Sequence, residues 1–194
     1  MTPLISHFVA RLFVIPLTLS FAPTVTYMFA QDQPHADHTS INPPALAQVV
    51  ALDECDPTTF NKVLGPGFCK NIALGYQTTL NDLLKLAERE TPDRKWDFEP
   101  DTLHIHEGTI LSVVNQGGEP HTFTEVEKFG GGFIKGLNGG EAPVPECEAG
   151  FASVAVARTR ILQGSQVELT GLSKGEHHFQ CCIHPWMRMT VEVK

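Results

Sequence analysis

The sequence predicts an all-β fold, a Greek-key β-sandwich, with a short helical N-terminal extension. From about residue 96 onward, apolar and polar residues alternate in short segments, which is the period of half-buried strands. Glycine-containing turns, such as Gln116–Gly118 and Ser173–Gly175, separate these segments. Several short strands separated by such turns are typical of sandwiches. Between residues 45 and 92, in contrast, the apolar spacing and the capping residues are helical.

Residues 1–30 have the composition of a secretory signal peptide. They contain no acidic residue, and Arg11 is followed by a mostly apolar run. Cleavage after Ala30 or after Ala22 would each break one preference of the cleavage rule. An uncleaved membrane anchor is the alternative, because the apolar run approaches the length that spans a bilayer. The polar, proline-containing residues 31–44 are expected to form a flexible linker.

Residues 45–92 are expected to form a small helical extension stapled by a disulfide. Asp56 precedes a proline, an arrangement typical of a helix N-cap and first turn, and Gly65 is a suitable helix end. A second helix is indicated after Thr79, where apolar residues recur at i, i+3, i+4 and i+7. Pro92 would end that helix.

The remaining residues, 93–194, are expected to form the sandwich. A long Gly- and Pro-rich stretch lies between residues 129 and 150, and a loop of this length in a compact domain is usually functional or disordered. The alternating segments that we interpret as strands are residues 102–106, 110–114, 121–126, 152–156, 167–169, 177–181 and 189–193.

The chain is acidic, with 22 Asp and Glu against 14 Lys and Arg. Removal of residues 1–30 would change the formal net charge from −8 to −9, because Arg11 would be lost. This balance argues against nucleic acid as a partner, since phosphates require a basic footprint. An acidic surface either docks to a basic patch on a protein partner or serves only solubility.

Four residues have the chemistry of a metal site. Cys181, His184 and Met187 follow one another at intervals of three residues, and His121 lies about sixty residues earlier. A thiolate, two imidazoles and a weakly bound axial thioether are the ligands of a mononuclear blue-copper site. A short loop can bring three of these side chains to one metal ion, and the fourth can come from a neighbouring strand. The sequence therefore predicts a copper site of these four residues.

Neighbours of this motif leave alternatives open. Cys182 could supply the thiolate instead of Cys181, although the loop spacing favours Cys181. Met189 could replace Met187 as the axial ligand, although its place on the final strand favours packing in the core. Trp186 stands between two expected ligands, and it either packs against the metal or forms an exposed apolar docking contact.

The five cysteines divide into one metal ligand and four bridge partners if the protein is exported. A bridge between Cys55 and Cys69 would close a short loop, which leaves Cys147 and Cys182 as a second pair. If the strand continues through residue 182, Cys181 and Cys182 point to opposite faces. One sulfur would then face the metal and the other a disulfide partner. Four cysteines allow three pairings, so this pairing is a hypothesis.

The stretch from Phe179 to Val193 resembles the cupredoxins, the family of plastocyanin, pseudoazurin and amicyanin. The motif His184-Pro185-x-Met187-Arg188 is similar to the ligand loop of amicyanin. The resemblance covers about residues 96–194, and residues 45–92 fall outside it. It implies a cupredoxin-like sandwich with the ligand roles carried over by position. They are thiolate for Cys181, imidazole for His121 and His184, and axial thioether for Met187.

This resemblance and the ligand set imply a type 1 copper protein that transfers single electrons between a donor and an acceptor redox protein. We expect a monomeric, periplasmic or secreted protein that is not an enzyme, because protein side chains would occupy all four positions at the metal. Copper storage, delivery or resistance is the alternative. Membrane association is expected only if residues 1–30 remain attached. An enzyme of the oxidase or nitrite-reductase type would need a further, open copper site that we do not find.

Overall fold

A computed structural model of the chain describes residues 43–71, 77–87 and 95–194. The predicted leader, residues 1–30, and residues 31–42 of the predicted linker lie outside these ranges. No helix in the described ranges is long and apolar enough to cross a membrane. The strands are β1 Leu46–Leu52, β2 Asp97–Glu99, β3 Thr102–Ile105, β4 Ile110–Asn115, β5 His121–Thr122, β6 Thr124–Val126, β7 Arg160–Ile161, β8 Gln166–Leu169, β9 Gly175–Gln180 and β10 Arg188–Val193. The helices are α1 Pro57–Leu64, α2 Leu80–Leu86, α3 Pro145–Glu148 and α4 Val154–Arg158, with 3₁₀ turns at Lys135–Leu137 and Gly150–Ala152.

The strands form two four-stranded sheets, in the orders β2-β1-β4-β8 and β3-β10-β9-β6, and β5 pairs with β7. β1 runs parallel to β4, and β10 runs parallel to β3. The other pairings are antiparallel. Most neighbours in a sheet are not consecutive in sequence, so the chain repeatedly crosses between strands. The predicted all-β sandwich is confirmed.

The two sheets pack face to face through one side of each strand. On β10, Met189, Val191 and Val193 are buried and the residues between them are not, as the period of two requires. Phe123 and Phe179 stack in the middle of this core, with their ring centroids 4.4 Å apart. The first sheet faces them with the buried side chains of Val49, Ala51, Phe98, Leu111 and Val113.

The sequence suggested a helical extension at residues 45–92, but this segment is not purely helical. Its first part, Leu46–Leu52, is strand β1, which lies between β2 and β4 in the first sheet. The run Leu46–Leu52 is almost continuously apolar, and such a run cannot be distinguished from a buried helix by its period alone. The N-terminal segment therefore supplies an interior strand of the sandwich.

The two predicted helices of this segment are present and begin where the capping residues indicated. The Asp56 carboxylate accepts hydrogen bonds from the backbone N–H groups of Thr58 and Thr59, at 3.1 and 3.0 Å. The Thr79 hydroxyl accepts one from the backbone N–H of Asp82 at 3.2 Å. These contacts satisfy N–H groups that have no partner within the helix.

A second core cluster lies beneath α1 and α2. It contains Phe60, Leu83 and Trp96 together with the Cys55–Cys69 disulfide. The Trp96 ring is fully buried, and its Nε1 donates a hydrogen bond to Thr78. The disulfide joins two residues of the segment itself, and the cluster packs the helices against Trp96, which directly precedes β2.

The prediction of a strand at residues 152–156 was wrong. A 3₁₀ turn and helix α4 occupy this stretch, and Val156 is its only buried residue. The alternation there involves only small and β-branched residues with one serine, so it carried little information about which side is buried. Val156 packs instead in a third cluster, beside Val126, Val144 and the Cys147–Cys182 disulfide.

Candidate metal centre

The predicted ligands come from two connections at one end of the sandwich. His121 begins β5, where it pairs with Ile161 of β7. Cys181 directly follows the last residue of β9, and His184 lies in the short loop that leads to β10. The sheets therefore position the first ligand and both ends of the ligand loop.

The side chains of His121, Cys181 and His184 converge in the interior. The Sγ atom of Cys181 lies 3.8 Å from the Nδ1 atom of each histidine, and the two Nδ1 atoms are 3.3 Å apart. None of the three side chains is more than 1% exposed. These atoms can hold one metal ion.

The spacing of these atoms matches trigonal coordination. Bonds of about 2.1 Å to nitrogen and about 2.3 Å to sulfur would separate two nitrogens by about 3.6 Å and nitrogen from sulfur by about 3.8 Å. The observed separations of 3.3 and 3.8 Å are close to these values. The three residues therefore fit a single ion without rearrangement of the backbone.

Met187 closes the ligand loop and is fully buried. Its backbone N–H donates to the His184 carbonyl at 2.9 Å, and its carbonyl accepts from the Cys181 N–H at 3.0 Å. Met189 is also buried, but it lies on β10 opposite Phe179 of β9. The two methionines thus belong to different elements, one to the loop and one to the sheet.

The cysteine alternatives are resolved. Cys182 forms a disulfide with Cys147, Cys55 forms one with Cys69, and Cys181 is the free cysteine. The proposed pairing is confirmed, and Cys182 is not available as a thiolate ligand. Adjacent residues place their sulfurs on opposite sides, because Cys181 lies in the main core and Cys182 in the third cluster.

Two backbone N–H groups point at the Cys181 sulfur. Those of Thr122 and His184 lie 3.4 and 3.5 Å from Sγ. The Thr122 hydroxyl also accepts a hydrogen bond from the Cys182 N–H at 2.8 Å. These donors favour the charged form of the sulfur and connect the ligand loop to β5.

The Gly-rich stretch packs directly against this loop. The Phe133 N–H donates to the Cys182 carbonyl at 2.9 Å, and a Cβ added at Gly132 would overlap that carbonyl. Glycine at position 132 is therefore required for the approach of the two backbones. The Cys147–Cys182 disulfide joins the same two segments covalently.

Each candidate ligand histidine contacts a buried carboxylate, which the sequence analysis did not identify. The Nε2 atom of His121 lies 2.9 Å from Asp53 Oδ2, and that of His184 lies 3.1 Å from Glu119 Oε2. An imidazole that donates from Nε2 presents the lone pair of Nδ1, so both rings are oriented for ligation by Nδ1. Glu119 stands two residues before His121, which is the one hint in the sequence. Asp53 has no comparable signal.

Contacts inside the pocket shift the pKa values of His121, Cys181 and Asp53 toward the charged form of each side chain. Burial alone would lower the pKa of His121, but hydrogen bonds to Asp53 and Cys181 raise it to about 10. Burial would raise the pKa of the Cys181 thiol, yet the two neighbouring histidines hold it well below its ordinary value. Burial opposes ionisation of Asp53 too, but its contact with His121 lowers its pKa to about 2. The contacts of the pocket therefore favour a thiolate at Cys181.

Two tryptophans surround His184. The ring centroids of Trp96 and Trp186 lie 5.1 and 5.5 Å from that of His184. Trp96 is fully buried, whereas Trp186 is partly exposed and contacts both the main and the second core cluster. Trp186 thus packs at the site and also reaches the surface.

Comparison with solved structures finds similarity to cupredoxins. A purple cupredoxin from Nitrosopumilus maritimus is 15% identical, over 76% of this chain and 99% of that one, with a TM-score of 0.39. Oxidised plastocyanin from Dryopteris crassirhizoma is 17% identical, over 76% and 100%, with a TM-score of 0.37. A reduced amicyanin variant is 21% identical, over 56% and 90%, with a TM-score of 0.34.

No protein-family model and no curated protein matches the chain. The fold class is established by the strand pairing of the chain itself. The solved structures to which the chain is similar are cupredoxins, the family that its ligand loop resembles.

Proposed function

We propose that this protein is a type 1 copper protein that transfers single electrons between redox partners. The observation that carries the proposal is the buried triad of His121, Cys181 and His184, with ligand atoms 3.3 to 3.8 Å apart. A thiolate with two imidazoles in a trigonal arrangement is characteristic of blue-copper electron carriers. Bound copper would supply the one-electron chemistry.

Met187 is proposed as the weak axial ligand. It is fully buried, and two backbone hydrogen bonds connect it to Cys181 and His184. With this thioether, protein side chains would occupy the positions around the ion. A substrate would then have no free position at the metal, which favours electron transfer over catalysis.

The rigidity of the site suits this function. Both histidines are hydrogen-bonded at their outer nitrogens, and the ligand loop is closed by backbone hydrogen bonds and tied to the Gly-rich stretch by a disulfide. A site that changes little between two oxidation states needs little reorganisation for electron transfer. The chain supplies this constraint through its own contacts.

We also propose that the protein acts outside the cytoplasm as a monomer. Two buried disulfides in the described residues are typical of periplasmic or secreted proteins. The net charge of −8 would favour redox partners with basic docking surfaces and make association depend on salt.

The visible spectrum of the copper-loaded protein tests this function. We expect an intense thiolate-to-Cu(II) band that disappears on reduction and returns on oxidation. The variant Cys181→Ser should lose the band, whereas the control Ser165→Ala, which changes an exposed side chain in the turn before β8, should keep it. A protein that stays colourless under oxidising conditions because it holds copper only as Cu(I) would instead indicate storage or delivery.

A further inference from the structure

Asp53 and Glu119 are the two carboxylates closest to the predicted ligands. Their side chains are 0% and 2% exposed, and each lies behind one ligand histidine. Burial of a carboxylate is costly unless its charge is balanced and its oxygens are hydrogen-bonded. The presence of two such groups at one site therefore calls for a physical reason.

Both carboxylate oxygens of Asp53 accept hydrogen bonds. Its Oδ2 accepts hydrogen bonds from the Glu119 N–H and the His121 ring, each at 2.9 Å. Its Oδ1 accepts one from the Cys55 N–H at 3.1 Å. A Cβ added at Gly117 would overlap the Asp53 carboxylate, so glycine there allows the close approach. Three donors hold this side chain as an anion in a fixed position.

Glu119 is held at one oxygen only. Its Oε2 lies 3.1 Å from the His184 Nε2, and its buried Oε1 has no hydrogen-bond partner among the residues that the structure describes. Among the described residues, the ionisable side chains that Asp53 and Glu119 contact are His121 and His184. The two carboxylates thus direct their charge at the imidazoles, and through them at the metal position.

We infer that Asp53 and Glu119 are positioning residues that hold both histidines with Nδ1 toward the copper and lower the reduction potential of the site. The inference rests on the copper function proposed above. The Cys181 thiolate and the two carboxylates are three buried anionic groups. A divalent ion leaves one net negative charge among them and a monovalent ion leaves two. Since uncompensated charge is costly in a low dielectric, these residues favour the oxidised state.

The inference assigns a role to the N-terminal segment. Asp53 follows β1, so it lies outside the stretch 96–194 that carries the resemblance to known copper proteins. It also bonds the N–H of Glu119, so the two carboxylates are connected. The segment 45–92 therefore contributes to the electronic properties of the site as well as to its packing.

The variant Glu119→Gln separates charge from hydrogen bonding. Its amide oxygen can still accept from His184, and its amide nitrogen takes the place of the oxygen that has no partner. We expect the Cu(II) band to remain and the affinity for Cu(II) relative to Cu(I) to fall about tenfold, a rise in potential of about 59 mV for a one-electron couple. The control Glu125→Gln removes the charge of a carboxylate side chain that is 51% exposed, and it should leave the reduction potential unchanged.

Asp53→Asn provides a second variant, and Asp56→Asn is its matched control three residues away. We expect the potential to rise in the first and not in the second. If the wild type shows the copper band but neither site variant raises the potential beyond its control, the inference is wrong and the copper function stands. If the wild type shows no band, the proposed function fails first.

A measurement on the wild type covers the case in which neither variant binds copper. Nitrogen NMR of the diamagnetic Cu(I) protein should show a proton on Nε2 of both His121 and His184, in slow exchange with water because the carboxylates bind it. A proton on Nδ1 of either ring would contradict the assignment of these positioning residues.

Discussion

Met187 and Met189 are both buried, but their positions in the backbone favour Met187 as the axial ligand. Met187 belongs to the loop closed by Cys181 and His184, whereas Met189 points into the sheet core from β10. We therefore expect Met187→Gln to lower the reduction potential strongly, because an amide is a harder ligand than a thioether and favours Cu(II). Voltammetry of the copper-loaded variants measures this shift.

Met189→Leu is the control for that change. It keeps the volume of a core side chain and should cost less than about 1.5 kcal/mol of stability. Its potential should stay near that of the wild type. A large shift for Met189→Leu with none for Met187→Gln would transfer the axial role to Met189.

At this scale, sequence reasoning identified the residues that chemistry marks by type and spacing. Cys181 and His184 lie three residues apart in one loop, and His121 meets them in space as expected. Asp53 could not be recognised in the same way. Its role depends on the end of β1 lying beside the loop before His121, which is a long-range contact without a local pattern.

Among the elements, α1 offers a direct test of capping. Asp56→Ala should destabilise the protein by about 1 kcal/mol, because the N–H groups of Thr58 and Thr59 lose their acceptor. Asp56→Asn should keep most of that stability, since Asn is also a good N-cap. Urea unfolding of the three proteins at neutral pH measures the differences.

The Asp56 contribution should also depend on pH. Its slight burial acts to raise the pKa, but hydrogen bonds from Thr59 and Thr58 lower it overall. The stabilisation is therefore complete above the unfolded-state pKa of about 3.9 and decreases as the pH falls through the lower folded-state value. The stability difference between wild type and Asp56→Ala should shrink accordingly in acid. A difference that grows in acid would contradict this.

Helices marked by capping residues could be predicted from the sequence, whereas elements determined by the strands or clusters that they pack against could not. The capped helices α1 and α2 begin at Asp56 and Thr79 as the sequence indicated. Strand β1 and helix α4 were misassigned, because an apolar run and a short Ala/Val alternation fit either structure. Pairing with β4 decides the first case, and packing of Val156 decides the second.

For the whole molecule, the Cys147–Cys182 disulfide links the ligand loop to the Gly-rich stretch across a separation of 35 residues. Loop-closure entropy for that length corresponds to about 4 kcal/mol. The double variant Cys147→Ala/Cys182→Ala should lose stability of this order in the metal-free state. Chemical denaturation measures the loss, and free-thiol titration should still find one thiol, that of Cys181.

The control for this change is the other bridge. Removal of the Cys55–Cys69 disulfide, with a separation of 14, should cost about 3 kcal/mol by the same relation. The copper spectrum should be altered more by loss of the Cys147–Cys182 bridge, because Cys182 adjoins Cys181, the proposed thiolate ligand. Equal spectra for both double variants would show that the bridge does not constrain the ligand loop.

The fold class and the disulfide pairing were also predictable at this scale. The fold class followed from strand alternation and turns, and the pairing from the short Cys55–Cys69 loop together with the opposite faces of Cys181 and Cys182. The boundary proposed at residue 92 did not anticipate β1. A strand in the middle of a sheet cannot be assigned to a separate extension, and only the sheet order reveals its place.

The position of β1 has a consequence for how the chain could be divided. Because β1 lies between β2 and β4, residues 95–194 alone would have an open slot in one sheet and would lack Asp53. Each disulfide lies within one of the pieces 43–87 and 95–194. The protein is thus suited to fragment complementation, in which two separately made polypeptides would restore a coloured copper centre only when combined.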